Sequence, residues 1–340
     1  MPRLDIPVEY SLGGDEAAAL MESVERLRDS GGDPADPEFY DRFWDSGHQL
    51  PPGLRSFLDG FRRSERSACA LVHGFPVDET AIGPTPSHWE AAIGAKSTRD
   101  QEIFVALCGM ALGEPFAWAT LQSGRIIQNL LPIQGDEECQ SGYGSEALLE
   151  FHTEDGFHPD RCDYLLLFGL RNDDQVPTIM ASVRDLELSD EDRRILAEPR
   201  FYILPDDEHL RQLEARDPNH RALAKMRRMQ QQPEATAVLF GDRLNPYLRI
   251  DRPFMRIAGE DGAAEQALDR LMAGLESVQQ DVVVGPGTLL VLDNYLAVHG
   301  RRAFRARYDG TDRWLKRLTV TRNLRRGLVS RESDSHRVLL

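Results

Sequence analysis

A chain of 340 residues of which 41% are hydrophobic can bury a full core, which excludes a disordered protein. Its formal charge of −16 at pH 7 leaves no general phosphate-binding surface, so nucleic acid is not an expected partner, whereas a small cationic substrate is compatible with it. The four cysteines, Cys69, Cys108, Cys139 and Cys162, include no C-x-x-C pair and read as buried, reduced thiols of a cytosolic protein rather than a disulfide framework.

The N-terminal segment MPRLDIPVEYSLGGDE lacks a basic stretch followed by an apolar one, so it does not read as a secretory signal. No apolar run approaches the roughly 18 residues of a membrane span, so a cytoplasmic protein with no membrane partner is expected. Residues 14–30 place Ala18, Met21, Val24 and Leu27 at helical spacing, and Gly31-Gly32 stops that helix. A second helical stretch covers 36–63, a short β run 67–77, and a third helix 98–112. From about residue 115 the pattern changes to short strands broken by Gly, Pro and Asp turns, at 125–132, 147–154, 162–170, 178–184, 200–204, 236–240, 246–251, 281–284, 288–293, 297–303 and 314–321. Helical insertions fall at 189–197, 218–232 and 262–279. Such a pattern predicts one domain, mainly β with flanking α-helices, as a sandwich or jelly roll with its core over 115–325. The stretch 205–232 is dense in charge and reads either as a solvated excursion or as a lid.

The chemistry-bearing segment is LLEFHTEDGFHPDRCDYLLLFGLRN, residues 148–172. On a strand, His152 and Glu154 point to one face and Thr153 to the other. The H-x-[DE] pattern alone is weak, because His88/Glu90 and His158/Asp160 share it. His88 follows a Pro-rich turn, and Pro159 suits a turn better than a paired strand. Downstream, GPGTLLVLDNYLAVHGRRAF (285–304) gives a Gly/Pro turn, an apolar strand, an Asp-Asn turn and a second strand bearing His299. Two imidazoles and one carboxylate on one face of an octahedron leave three positions open, as non-haem Fe(II) oxygenases require.

In sequence order, IGPTPSHW (82–89), GEPFAWAT (113–120), HTEDGFHP (152–159), the D-N-x-x-x-x-H-G-R run and RYDGTDRWLKR (307–317) together resemble the clavaminate synthase-like branch of the 2-oxoglutarate-dependent oxygenases. The resemblance covers about 65–330 and is greatest to the hydroxylases of arginine and of enduracididine, a cyclic guanidino amino acid. It implies a double-stranded β-helix, with Fe(II) held by His152, Glu154 and His299, and with 2-oxoglutarate and O2 as co-substrates. In that family a basic residue 14 positions after the distal histidine pairs with the far carboxylate of 2-oxoglutarate; the resemblance puts this role on Arg313, with Thr178 matching the family threonine that assists it. Arg317, four residues on, returns to the same strand face and would grip the substrate α-carboxylate, while Trp314, Lys316 and Leu318 take the other face. Gln122 would contact the α-amino end. Asp206 and Asp251 would bind the guanidinium, and Glu154 would border the substrate.

The activity implied is hydroxylation of a free amino acid at Cβ, with Cγ hydroxylation or desaturation as the alternative outcome of the same cofactor chemistry. Glu154 fills the position that halogenases of this chemistry leave open for chloride, so halogenation is not expected. A zinc hydrolase would need a motif such as H-E-x-x-H, which the chain lacks. A non-catalytic jelly-roll module would load metal without forming succinate. One departure from the arginine hydroxylases stands against a guanidinium: Arg249 occupies the place of a second acid, two residues before Asp251, and would repel the cation unless it turned away.

Overall fold

The computed structural model describes residues 5–331 and 335–340. The larger of its two main sheets has eight strands. Its order is Val8–Ser11, Cys69–His73, Leu289–Asp293, Tyr164–Arg171, Trp314–Thr321, Glu114–Trp118 and Val338–Leu339, with Ile127–Leu130 also paired to Trp314–Thr321. The smaller runs Gln280–Val282, Thr178–Ser182, Ala297–Arg301 and Leu149–His152, all antiparallel. Helices cover the outside of the larger sheet. This is the expected jelly roll, mainly β with flanking helices.

The side-chain alternation of the strands explains the layering. Tyr164, Leu166, Phe168 and Leu170 join the cluster formed with the helices, whereas Leu165 and Leu167 join the cluster between the sheets. Leu289 and Val291 against Leu290 and Leu292 divide in the same way. Both faces are therefore dry, which is why these strands read as continuous apolar runs instead of alternating ones. Gly169 has no room for a side chain: a Cβ there would lie 2.0 Å from the Gly285 carbonyl oxygen.

Most elements fall where the pattern puts them. The stretch 36–63 divides into Pro37–Arg42, a 3-10 turn Ser46–Gln49 and Pro52–Ser64, because Pro51-Pro52 cannot continue a helix but can start one. The charged stretch 205–232 holds two helices, Asp207–Arg216 and Arg221–Gln231, where one was expected. The larger sheet also recruits Val8–Ser11 and Cys69–His73, so it extends N-terminal to 115. Cys69, Cys108 and Cys162 are buried, but Cys139 is exposed on a loop, contrary to expectation. Among the described residues no helix is long and apolar enough to cross a membrane.

The helix Arg99–Leu112 is buried along nearly its whole length and packs on Trp314–Thr321. Their contact includes one ion pair. Lys316, fully buried, donates to Glu102 at 2.8 Å and to Asn129 at 2.7 Å, and the Trp314 indole donates to the same Asn129 oxygen at 2.9 Å. Removing one partner of a buried pair leaves the other charge uncompensated. Glu102→Ala is therefore expected to lower the unfolding free energy by about 3–5 kcal/mol, read from urea denaturation, with Glu102→Gln losing less because it keeps an acceptor.

Candidate active site

His152 ends the strand Leu149–His152 and lies directly opposite His299 on Ala297–Arg301. Their ring centroids are 4.2 Å apart. Glu154 follows in the turn after the strand, not on the strand itself. It reaches the same point, its Oε2 being 3.2 Å from His299 Nε2. Ligand atoms of His152, Glu154 and His299 all lie within 4.8 Å of one another. Thr153 points away, as the alternation predicts, and donates to the Ile250 carbonyl at 2.8 Å.

Surrounding groups fix the ligands. The Glu150 carbonyl accepts from His152 Nδ1–H at 2.9 Å, which leaves Nε2 for a metal. Burial, then the neighbouring His299, pushes the His152 imidazole down to about 4, so it is neutral and able to ligate. Asn294, of the Asp-Asn turn, clamps the Glu154 backbone: its Oδ1 accepts from Glu154 N at 2.6 Å, and its Nδ2 donates to Glu154 O at 3.0 Å. Although burial opposes ionisation, the Arg317 guanidinium and the histidines hold the Glu154 carboxyl well below the usual range. Two imidazoles and an ionised carboxylate at this spacing fit Fe(II).

Arg313 stands just before Trp314–Thr321 and is buried. Its Nη2 donates to Thr178 Oγ1 at 3.2 Å, and its Nε has no partner. Among the described residues no acid pairs with it. Burial, then nearby Arg301, lowers it to about 9. A dry guanidinium without an anion fits a carboxylate ligand such as the far end of 2-oxoglutarate.

Arg317 faces the same inter-sheet space while Trp314, Lys316 and Leu318 face the helices. It pairs with Glu154 and accepts support from Gln128, to which it donates at 3.0 Å. The cavity beside the triad is lined by Arg317, Tyr143, Asp155, Asp206, Glu208 and Asp251. Asp251 bridges His152 in the backbone ladder. Burial, then Asp206 and Glu154, pushes its carboxyl well above the usual range. Asp206 caps the helix Asp207–Arg216 by accepting from His209 N at 3.0 Å.

Arg249 does turn away. Its Nε donates to the Gly156 carbonyl at 2.5 Å and its Nη2 to Phe157 O at 2.8 Å, and it lines a different cavity with Lys225 and Arg228. Gln122 is fully buried, and its amide is committed: Nε2 donates to Asn129 O and to Tyr143 Oη, both at 2.7 Å, while Oε1 accepts from Asn129 N. It meets the cavity through Tyr143. The other H-x-[DE] pairs stand apart from the triad. His88 accepts from Glu90 N at 3.2 Å on the surface, and His158 is buried against Trp118.

Sequence reasoning missed Asp155, Tyr143 and His209. Asp155, in a left-handed backbone conformation, accepts from the Trp118 indole at 2.6 Å and lies 3.1 Å from His209 Nε2. The Asp206-Asp207-Glu208 run is an N-cap with an acidic first turn, and was the available signal for this helix.

Residues 97–319 match the family model described as taurine catabolism dioxygenase TauD, TfdA family. The chain is 44% identical over 299 residues to an L-ornithine/L-arginine 3-hydroxylase of Catenulispora acidiphila, covering 85% of this chain and 87% of that one. It is 43% identical over 300 residues to an enduracididine beta-hydroxylase of Streptomyces hygroscopicus, covering 86% and 87%. Its structure superposes on the non-heme iron oxygenase OrfP, solved with Fe, succinate and (3S)-hydroxy-L-Arg, with a TM-score of 0.92 and 39% identity over 98% of this chain and 99% of that one. OrfP has also been solved with Fe and alpha-ketoglutaric acid, at a TM-score of 0.86 and 38% identity, covering 98% and 100%.

The triad geometry makes metal loading the first measurement. Wild-type protein is expected to bind one Fe(II) in anaerobic titration, and His152→Ala or His299→Ala to lose that binding while melting as a folded protein. Stoichiometric iron in either variant contradicts the ligand assignment.

Proposed function

This chain belongs to the taurine catabolism dioxygenase TauD, TfdA family, and on that premise we propose that it hydroxylates Cβ of free arginine or of a cyclic guanidino amino acid such as enduracididine. The hydroxylases it is similar to carry those substrates in their names, and OrfP holds a 3-hydroxyarginine. Fe(II), held by His152, Glu154 and His299, supplies with 2-oxoglutarate and O2 the hydroxylation of a C–H bond, with succinate and CO2 as co-products. Arg313 and Thr178 hold the far carboxylate of 2-oxoglutarate. The chain's own residues otherwise orient and exclude water; none is needed as a general base.

The observation that carries the substrate reading is a pair of acids beside the triad that have no Lys or Arg partner among the described residues. Asp206 and Asp251 line the cavity, the His209 ring 3.9 Å from Asp206 being the basic group beside them. A guanidinium placed between them offsets the cost of burying the Asp251 carboxylate and gains a second, half-buried partner in Asp206. Arg317 takes the α-carboxylate at the other end, with its Nε free of any partner. Glu154 borders the substrate, and Gln122 acts on the α-amino end through Tyr143. Because Arg249 points out of the cavity, extended arginine meets no repulsion there. Holding the substrate at both ends decides which carbon faces the metal.

The test is anaerobic loading with Fe(II) and 2-oxoglutarate, then O2 with arginine, enduracididine, lysine, glutamine and asparagine in turn. Arginine or enduracididine is expected to couple best to succinate release and to gain one oxygen atom at Cβ; a neutral amino acid as the best substrate defeats the guanidine reading. Asp251→Ala should cut turnover of the guanidino substrate sharply while uncoupled 2-oxoglutarate decay continues. Arg313→Ala should raise the 2-oxoglutarate KM by about 30-fold or more, as loss of a buried charge-assisted pair costs about 2–5 kcal/mol.

A further inference from the structure

Arg301 ends the strand that carries His299, two residues away and on the same face. Across the ladder it lies directly opposite Thr178. Thr178 in turn accepts from Arg313 at 3.2 Å. Arg301 is therefore the neighbour of the Thr178–Arg313 pair, and the two guanidiniums repel: nearness to Arg301 is part of what lowers Arg313.

Arg301 is only 3% exposed, and among the described residues no acid pairs with it. Its bonds go to backbone carbonyls. Nη1 donates to Gly144 O and Nη2 to Ala147 O, the latter at 3.0 Å, and the guanidinium lies 5.0 Å from the Phe304 ring centroid. Two buried guanidinium nitrogens in this region have no partner, Arg301 Nε and Arg313 Nε. Ser145 sits between the two carbonyls that Arg301 holds. The preceding residues Gln140–Tyr143 form one wall of the substrate cavity.

We propose that Arg301 is a positioning residue that joins the co-substrate end to the substrate end: its charge is the second cation facing the far carboxylate of 2-oxoglutarate, and its fork pins Gly144 and Ala147 so that the Gln140–Tyr143 wall stays in place. Two buried cations without an anion are costly, and a dicarboxylate offsets both at once. The two roles use different properties of the side chain. Charge survives replacement by lysine; the planar fork does not.

This rests on the co-substrate role of Arg313, so Arg313→Met is measured beside Arg301→Met and Arg301→Lys. Affinities for 2-oxoglutarate and then for arginine are read by anaerobic calorimetry on Fe(II)-loaded protein, with circular dichroism and melting as controls. Arg301→Met is expected to weaken both ligands by about tenfold or more. Arg301→Lys should keep 2-oxoglutarate affinity within about threefold while arginine stays weak. Wild-type affinities in Arg301→Met overturn the proposal. So does Arg301→Lys if it loses 2-oxoglutarate or recovers arginine, and this variant decides alone if Arg301→Met does not fold. Should Arg313→Met lose 2-oxoglutarate while Arg301→Met does not, only the role of Arg301 fails. If Arg313→Met also binds it normally, the co-substrate assignment itself fails.

Discussion

The pleat of one strand organises both the fold and the site. Along Trp314–Thr321, alternate side chains face opposite layers, and the chain places a cation on each. Lys316 turns outward to Glu102 and ties the central helix to the sheet. Arg317 turns inward and pairs with Glu154, the carboxylate of the candidate metal site. A slip of one residue would exchange them, burying a lysine beside the triad and an arginine among the helices. The apolar neighbours on both faces, Trp314 and Leu318 outward and Leu315 inward, oppose that slip because each fills its own core.

Given that register, the space between the sheets holds charge of two signs at its two ends. Asp155, Asp206, Glu208 and Asp251 gather on the substrate side, while Arg301 and Arg313 stand at the other. Asp155 and Glu208 already have basic partners in Arg317 and Arg211, whereas Asp251, Arg301 and Arg313 are buried, and among the described residues no opposite charge pairs with any of them. The arrangement suits a cationic amino acid on one side of the metal and a dicarboxylate on the other. It discourages exchange of the two, since each would meet its own sign of charge. Selectivity of this kind comes from repulsion as much as attraction.

The parts of this design written in local patterns were legible in the sequence. His152, Glu154 and His299 stood in recognisable blocks, and the buried strands showed as apolar runs between turns. Met255–Ile257 and Val338–Leu339 show no period of their own and exist because a neighbour pairs with them. Tyr143 and Arg301 act through a glycine-bearing loop whose path no periodicity encodes. The direction of Arg249 was equally hidden. Two residues before Asp251 it should share that residue's face, but the strand Pro246–Leu248 has already ended, and Asp251 stands outside it in a bridge to His152. Alternation no longer applies there, and carbonyls of the loop after Glu154 capture the guanidinium instead.

That capture has a consequence for anyone redesigning the enzyme. Arg249 looks in an alignment of motifs like a missing acid, and replacing it with Asp or Glu looks like a way to add a ligand for a longer cationic substrate. In the folded protein its guanidinium is a buttress behind the loop that follows the metal-binding glutamate, holding the Gly156 and Phe157 carbonyls from the far side. An acid there would abandon those carbonyls and repel their oxygens, so the loop would loosen before any new contact formed. Engineering of side-chain length tolerance has more to work with at Pro253 and Phe254, which border the cavity and, in their side chains, make no hydrogen bonds that must be replaced.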